Sequence, residues 1–483
     1  MSTLSPTQQH ALAEHVWLHF SQMAKFQRPD ANPRILVRGE GSHVWDQDGN
    51  EYIDALAGLF TVNAGYGRTE IVEAMAAQLH QIGYVSPFSF PSVPVIDLAA
   101  KLATIAPTGA GSRSFFVNSG SEAVETALKM AKSYHVRRGE PQRTKVIARR
   151  VAYHGTTMGA LSVNGVTPYR TGFGPLVPGA RHVPPPYRYR CASCMLQSAC
   201  SNKCANEFEA MIEFEDPSTV AAVIMEPVQN SGGALVSPPD YLRRVREICD
   251  HYGVVMILDE VINGFGRVGG WFGSSELGAQ PDIITVAKAI TNGYAPLGAA
   301  IAAKHIADTF LGDEADMFMH GSTFGGHVAS AAAALANIRI IEREGLHERA
   351  RVVGPQIMQS LRETIGSHPN VGDIRGMGMF IAIELVRDKA TRESLAGEEN
   401  LMYWLSDQLV QRGVLCRSDD RMEPVIQIAP PLNMPQEDID QVVQTIGEVV
   451  HVLGRKLGST PQQHSVTRRP VSPAAVTTLE IAA

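Results

Sequence analysis

Two short apolar runs each end in a residue that can do chemistry. Val254-Val-Met-Ile-Leu258 leads into Asp259-Glu260-Val261, and Asp282-Ile-Ile-Thr-Val-Ala287 leads into Lys288. Short apolar runs bounded by polar and Gly/Pro punctuation read as buried strands of a largely parallel sheet. Ligands on such sheets sit beyond the carboxyl ends of the strands, where Asp259 and Lys288 both project. An acid and a lysine at neighbouring strand ends suit a structural ion pair, a nucleotide site or a Schiff-base site.

Asn118-Ser-Gly-Ser-Glu-Ala123 narrows the choice, because it joins a strand at 114–117 to a helix starting at Ser121. Gly120 lets the backbone turn tightly, and the free N–H groups of the helix's first turn converge on a spot that favours phosphate. Taken alone, the same residues make an ordinary N-capped turn. The nucleotide motifs lack their context. An apolar run followed by Asp-Glu is found in P-loop ATPases, but this chain contains no Gly-Lys dipeptide. Gly264-Phe-Gly266-Arg-Val-Gly269 matches G-x-G-x-x-G, yet Gly270-Trp-Phe-Gly273 follows it instead of a helix opening. A phosphate cradle, a carboxylate and a strand-end lysine are what pyridoxal 5′-phosphate needs. The lysine amine condenses with the cofactor aldehyde, and the carboxylate keeps the pyridine nitrogen protonated so that the ring draws electrons. Tyr153, followed by His154 in Ala-Tyr-His-Gly155, is placed to cover one ring face.

The elements around these residues read as an α/β chain. Strands at 114–117, 145–148, 220–225, 254–258, 283–287 and 297–302 alternate with helices such as 121–138, as layered α/β architectures do. Before them come a helix over Ala11–Phe26, a small antiparallel unit (35–37, 43–45, 51–53) around Asp48-Gly49-Asn50, and a helix over 70–81. Helices at 328–343, 346–366 and 436–457, with strands near 371–374, 380–385 and 425–428, form a smaller α+β domain. The expected division is an N-terminal segment (1–60) joining the small domain, a large domain (61–328), the C-terminal small domain (329–459) and a disordered tail (460–483). The chain has 483 residues, 44% of them hydrophobic, enough for a substantial core. A net charge of −7 argues against nucleic-acid binding. With no leader-like N-terminus and no apolar run of ~18 residues, a soluble cytoplasmic protein without a membrane span is expected.

Six stretches together resemble the class III (ω-amino) aminotransferases, a family of fold-type I pyridoxal-phosphate enzymes. They are Asn118-Ser-Gly-Ser-Glu-Ala, Ala152-Tyr-His-Gly, Met225-Glu-Pro-Val-Gln, Leu258-Asp-Glu-Val, Ala287-Lys and His320-Gly-Ser-Thr-Phe-Gly-Gly-His. The likeness runs over about residues 30–455. It implies a mixed, mostly parallel sheet in a large domain, with a smaller α+β domain built from both chain ends. Lys288 would hold the cofactor and act as the base of the 1,3-proton shift, and Asp259 would pair with the pyridine nitrogen. Ser119, Gly120 and Ser121 would hold the phosphate, Tyr153 and Val261 would flank the ring, and His154, Glu226 and Gln229 would lie nearby. Thr323 would reach the phosphate of the other subunit, so a homodimer follows, with a tetramer also open.

Asp54 to Arg68 resembles the branch of that family that uses pyruvate with amines, β-alanine or taurine. In that branch an arginine swings in to bind a carboxylate and out to admit an apolar group. Arg417 stands at the matching position, with Arg421 close by. The expected function is transfer of an amino group from an ω-amino acid or primary amine to pyruvate. Lyase, aminomutase and non-catalytic readings of the same fold stay open. Phe60, Phe88, Tyr153 and Ser231 are expected to line the substrate pocket, Phe60 replacing a Trp frequent in amine-active members.

Cys191, Cys194, Cys200 and Cys204 fall within an insertion at 187–206. Such crowding suits a zinc or iron–sulfur site, reduced thiols or disulfides, and these stay open. No catalytic role is expected of them.

Overall fold

The computed structural model describes residues 4–27, 33–191 and 202–459. Its centre is a seven-stranded sheet. The order is Arg113–Val117, Gly298–Ala302, Ile283–Val286, Val255–Asp259, Val220–Met225, Lys145–Arg149, Ala180–Val183. Neighbours run parallel except at Gly298–Ala302, which is antiparallel to both strands beside it. Val220–Met225 and Val255–Asp259 are buried along their whole length, which explains their continuous rather than alternating apolar pattern. Register aligns Asp259 with Thr285 and Leu258 with Met225, so the ends of three central strands finish close to one level. The helix Gly120–Arg137 packs on one sheet face through Val124, Ala127, Leu128 and Ala131.

The two ends of the chain meet in a second sheet. Leu36–Glu40, His43–Asp46 and Glu51–Asp54 form an antiparallel meander, and Val414–Leu415 adds to it parallel to Glu51–Asp54. Val371–Met377, Phe380–Asp388, Val425–Ile428 and Arg417–Asp419 form a third sheet. The helices Val328–Arg343, Leu346–Ile365 and Gln436–Lys456 accompany them. The fold is α/β, with a mixed, mostly parallel sheet and a smaller α+β unit built from both chain ends.

One expected element moves. The helix read over Ala11–Phe26 forms at Pro6–His15, and a separate 3₁₀ turn forms at Met23–Phe26. Ser5 and Gln8 make a reciprocal capping box and Pro6 occupies the first turn, fixing the start; Val16 is extended and ends the helix. That helix buries no residue, so local capping sets its position rather than an apolar stripe. The tail at 460–483 and Cys194 and Cys200 lie outside the described residues. Among the described residues no helix is long and apolar enough to cross a membrane.

Candidate active site

Beyond the carboxyl ends of the central strands lies a cavity of about 450 Å³. Asp259, Val261, Lys288, Glu226, Tyr153, His154, Ser119, Gly120 and Ser121 all line it. Asp259 is the last residue of its strand and is 4% exposed. Its Oδ1 accepts from Val261 N–H and Thr285 Oγ1, both at 3.1 Å. Its Oδ2 lies 2.8 Å from His154 Nδ1, the imidazole N–H donating to the carboxylate.

Lys288 follows the strand Ile283–Val286 and opens a 3₁₀ turn at a φ of 50°. A left-handed conformation is strained for a non-glycine residue, and such strain concentrates at functional positions. Among the described residues its ammonium makes neither a hydrogen bond nor an ion pair. Lys288 keeps some exposed surface because it faces the cavity. Burial nevertheless pushes its pKa down, opposed by Asp259 and Glu226 and reinforced by Arg417. That favours the neutral amine a nucleophile needs. Glu226 is buried beneath Tyr153, accepting from Tyr153 N–H at 3.3 Å and Asn230 N–H at 2.9 Å, and burial raises its pKa.

The opposite wall is the start of the helix Gly120–Arg137. Ser119 caps it, its Oγ accepting from Glu122 N–H at 3.2 Å. A Cβ on Gly120 would sit 3.0 Å from Val261 Cγ1, so a side chain there would push Val261 away from the helix start. Gly155, at φ 116°, leaves room for Ser121, whose Oγ would be 2.4 Å from an added Cβ. The donor set fits pyridoxal phosphate. The remaining N–H groups of the helix start suit a phosphate, Lys288 an aldehyde, and Asp259, already held by three donors, a pyridinium.

Other expected pocket residues fall elsewhere. Phe60 is 1% exposed and meets Phe380 edge-to-face at 5.4 Å; its neighbour Thr61 lines the cavity instead. Non-helical dihedrals at Gly58 and Leu59 and a φ of 60° at Phe60 turn that side chain into the core. Phe88 is 67% exposed and lies over Gly321. Ser231 is fully buried, its Oγ unpartnered, and neither it nor Phe88 lines the cavity. Thr323 is exposed, its carbonyl accepting from the Tyr84 hydroxyl at 3.0 Å, and is also absent from this protomer's cavity wall. Arg417 stands back from the lining, near enough for its charge to act on Tyr153 and Lys288.

Sequence reasoning missed Thr285, Thr61, Tyr294 and Thr291, although all but Thr285 line the cavity and Thr285 bonds Asp259. Thr285 had a signal, a polar residue inside the apolar run Ile283–Val286. The Gly264–Gly273 stretch carries no ligand site: Glu260 accepts from Gly273 N–H and from Ser274 N–H and Oγ. Arg267 is tied there to Met379 O, Pro430 O and Asn63 Oδ1. Among the described residues no group of three or more His, Cys, Asp or Glu side chains is placed to hold a metal.

Comparison with known proteins identifies the family. The class-III aminotransferase family profile matches residues 26–450. A probable aminotransferase of Mycobacterium tuberculosis is 45% identical over 445 residues, 92% of this chain and 94% of that protein. A taurine–pyruvate aminotransferase of Bilophila wadsworthia is 38% identical over 92% of this chain and 97% of its own. A putrescine–pyruvate aminotransferase of Pseudomonas aeruginosa is 36% identical, covering 85% and 89%. Among solved structures, an (S)-enantioselective omega-transaminase from Thermomicrobium roseum superposes with a TM-score of 0.87 at 37% identity, covering 94% and 100%. A pyridoxal-phosphate-bound amine transaminase from an uncultivated Pseudomonas species gives 0.85 at 36%, covering 91% and 99%. An acid and an amine at adjoining strand ends, facing a glycine-shaped helix start, thus recur in a chain that belongs to the class-III aminotransferase family and is a transaminase.

Proposed function

We propose that this transaminase moves an amino group from an ω-amino acid or primary amine to pyruvate. The observation that carries the reading is Arg417, a guanidinium beside the cavity whose charge reaches Lys288 and Tyr153. Among the described residues it makes no hydrogen bond, and its one ion pair, Nε to Asp419 Oδ2, is 3.6 Å long. Its planar donors suit a carboxylate, and the taurine–pyruvate and putrescine–pyruvate relatives support a keto acid of that size.

Pyridoxal phosphate, when bound, supplies an aldehyde for the amine and a ring that draws electrons from the substrate carbon. Ser119, Gly120 and Ser121 would hold the phosphate with helix N–H groups. His154 and Thr285 hold the Asp259 carboxylate in place, and that carboxylate would face the ring nitrogen and favour its protonated form. Lys288, its pKa lowered by burial, would hold the cofactor and serve as the base for a proton on the substrate carbon. Tyr153 and Val261 would flank the ring, and Glu226 orients the Tyr153 backbone. Thr323, exposed on its own protomer, would serve the phosphate of a second copy in a homodimer.

Alanine formed from pyruvate across a panel of amines, β-alanine and taurine tests the reading. Arg417→Ala is expected to raise the KM for pyruvate ~10–100-fold and to spare uncharged amines, as loss of a charge-assisted contact does. Equal losses for both substrates would contradict it.

A further inference from the structure

The strand Arg417–Asp419 places Arg417 and Asp419 on one face, two residues apart. An internal carboxylate that close would be expected to claim the guanidinium and leave it unable to serve a substrate. It does not, because Arg421 takes both carboxylate oxygens. Arg421 Nε donates to Asp419 Oδ1 at 2.8 Å and Oδ2 at 2.7 Å, and its Nη2 also binds Oδ2. Its backbone N–H adds a bond to Oδ1 at 3.0 Å, so the turn after the strand is folded onto the acid. Both members are deeply buried, with side-chain exposures of 9% for Arg421 and 3% for Asp419. Arg417 is left at 3.6 Å with its side chain 24% exposed.

Arg421 repels Arg417 while Asp419 attracts it, and Tyr153 and Tyr169 pack nearby. On the far side Gln427, which pairs with Arg417 across the strands, turns its amide to Asn230 O at 2.8 Å rather than to either arginine.

We propose that Arg421 is a positioning residue for keto-acid recognition: by occupying Asp419 it keeps Arg417 free for the substrate carboxylate. The inference rests on the reading of Arg417 given above. Without Arg421, Asp419 turns to Arg417 and competes directly with pyruvate. Specificity for an anionic acceptor over an uncharged amine is then set by a residue that touches neither.

The test is steady-state kinetics of the holoenzyme with pyruvate as the varied substrate. Arg421→Gln is expected to raise the KM for pyruvate about tenfold while the limiting rate changes less than about twofold, a coupling normal for residues sharing one ion-pair network. Asp419→Asn added to Arg421→Gln is expected to restore the KM, since no carboxylate remains to hold Arg417. Arg421→Lys is expected to fall between, because an ammonium cannot take both oxygens in a fixed fork. An unchanged KM in Arg421→Gln overturns the proposal, and so does a double variant as impaired as the single one. An Arg421→Lys variant more impaired than Arg421→Gln also overturns it, because a cation at Asp419 would then hinder Arg417 rather than free it. If Arg417→Ala leaves pyruvate KM unaltered, the Arg417 reading itself fails. If only the Arg421 variants behave as wild type, this inference fails alone.

Discussion

Asp259 and Glu260 are consecutive carboxylates, and both are buried, yet the fold gives them opposite tasks. Strand alternation sends their side chains to opposite sides. Asp259 turns toward a cavity, where its partners are His154, Thr285 and the Val261 N–H and an unpaired lysine shares the space. Glu260 turns into a closed pocket made by Gly273 and Ser274, where burial pushes its pKa up to about 7 against the hydrogen bonds that lower it. The comparison teaches that burial of an acid does not mark a site. What marks it is an open neighbour with chemistry of its own, and only Asp259 has one.

The comparison breaks if the two residues respond alike to isosteric substitution. Asp259→Asn keeps shape but loses charge, and is expected to lower transamination ~10²–10³-fold, the scale of a lost electrostatic partner in a site. Thermal stability of that variant should stay near wild type, read by a melting curve. Glu260→Gln is expected to leave kcat within about twofold and to alter stability instead. Between its unfolded value near 4.5 and its folded value of about 7, Glu260 holds a proton in the folded protein that the unfolded chain has released. Folded protein therefore loses stability as pH rises through that window. Denaturant midpoints from pH 4.5 to 7.5 are expected to fall for wild type relative to Glu260→Gln. A difference independent of pH would contradict the assignment.

Much of the fold was legible because strand and helix periods carry it. The continuous apolar runs at 220–225 and 254–258 mark strands buried on both faces, and Asp48-Gly49-Asn50 marks a turn. The grouping of Asp259, Lys288 and the Ser119–Ser121 turn around one cavity follows from their places at strand and helix ends. Phe60 and Ser231 were not legible in the same way. They sit in segments shaped by left-handed residues such as Phe60 and Ala234, where no period tells which way a side chain turns. The first helix was misplaced because it is held by a cap and buries nothing, so an apolar pattern was the wrong guide. Arg421 gave no signal of its own in sequence. Its partner is two residues away, and only the folded turn shows that it takes both oxygens of Asp419.

The central claim is that Lys288 is the residue that takes the cofactor, at the end of the strand beside Asp259. It is tested most directly by adding pyridoxal phosphate, reducing with borohydride, and mapping the modified peptide by mass spectrometry. The account predicts stoichiometric, irreversible labelling of the peptide containing Lys288 and its loss in Lys288→Ala. Labelling of a different lysine, or persistent labelling in Lys288→Ala at the wild-type level, would contradict it.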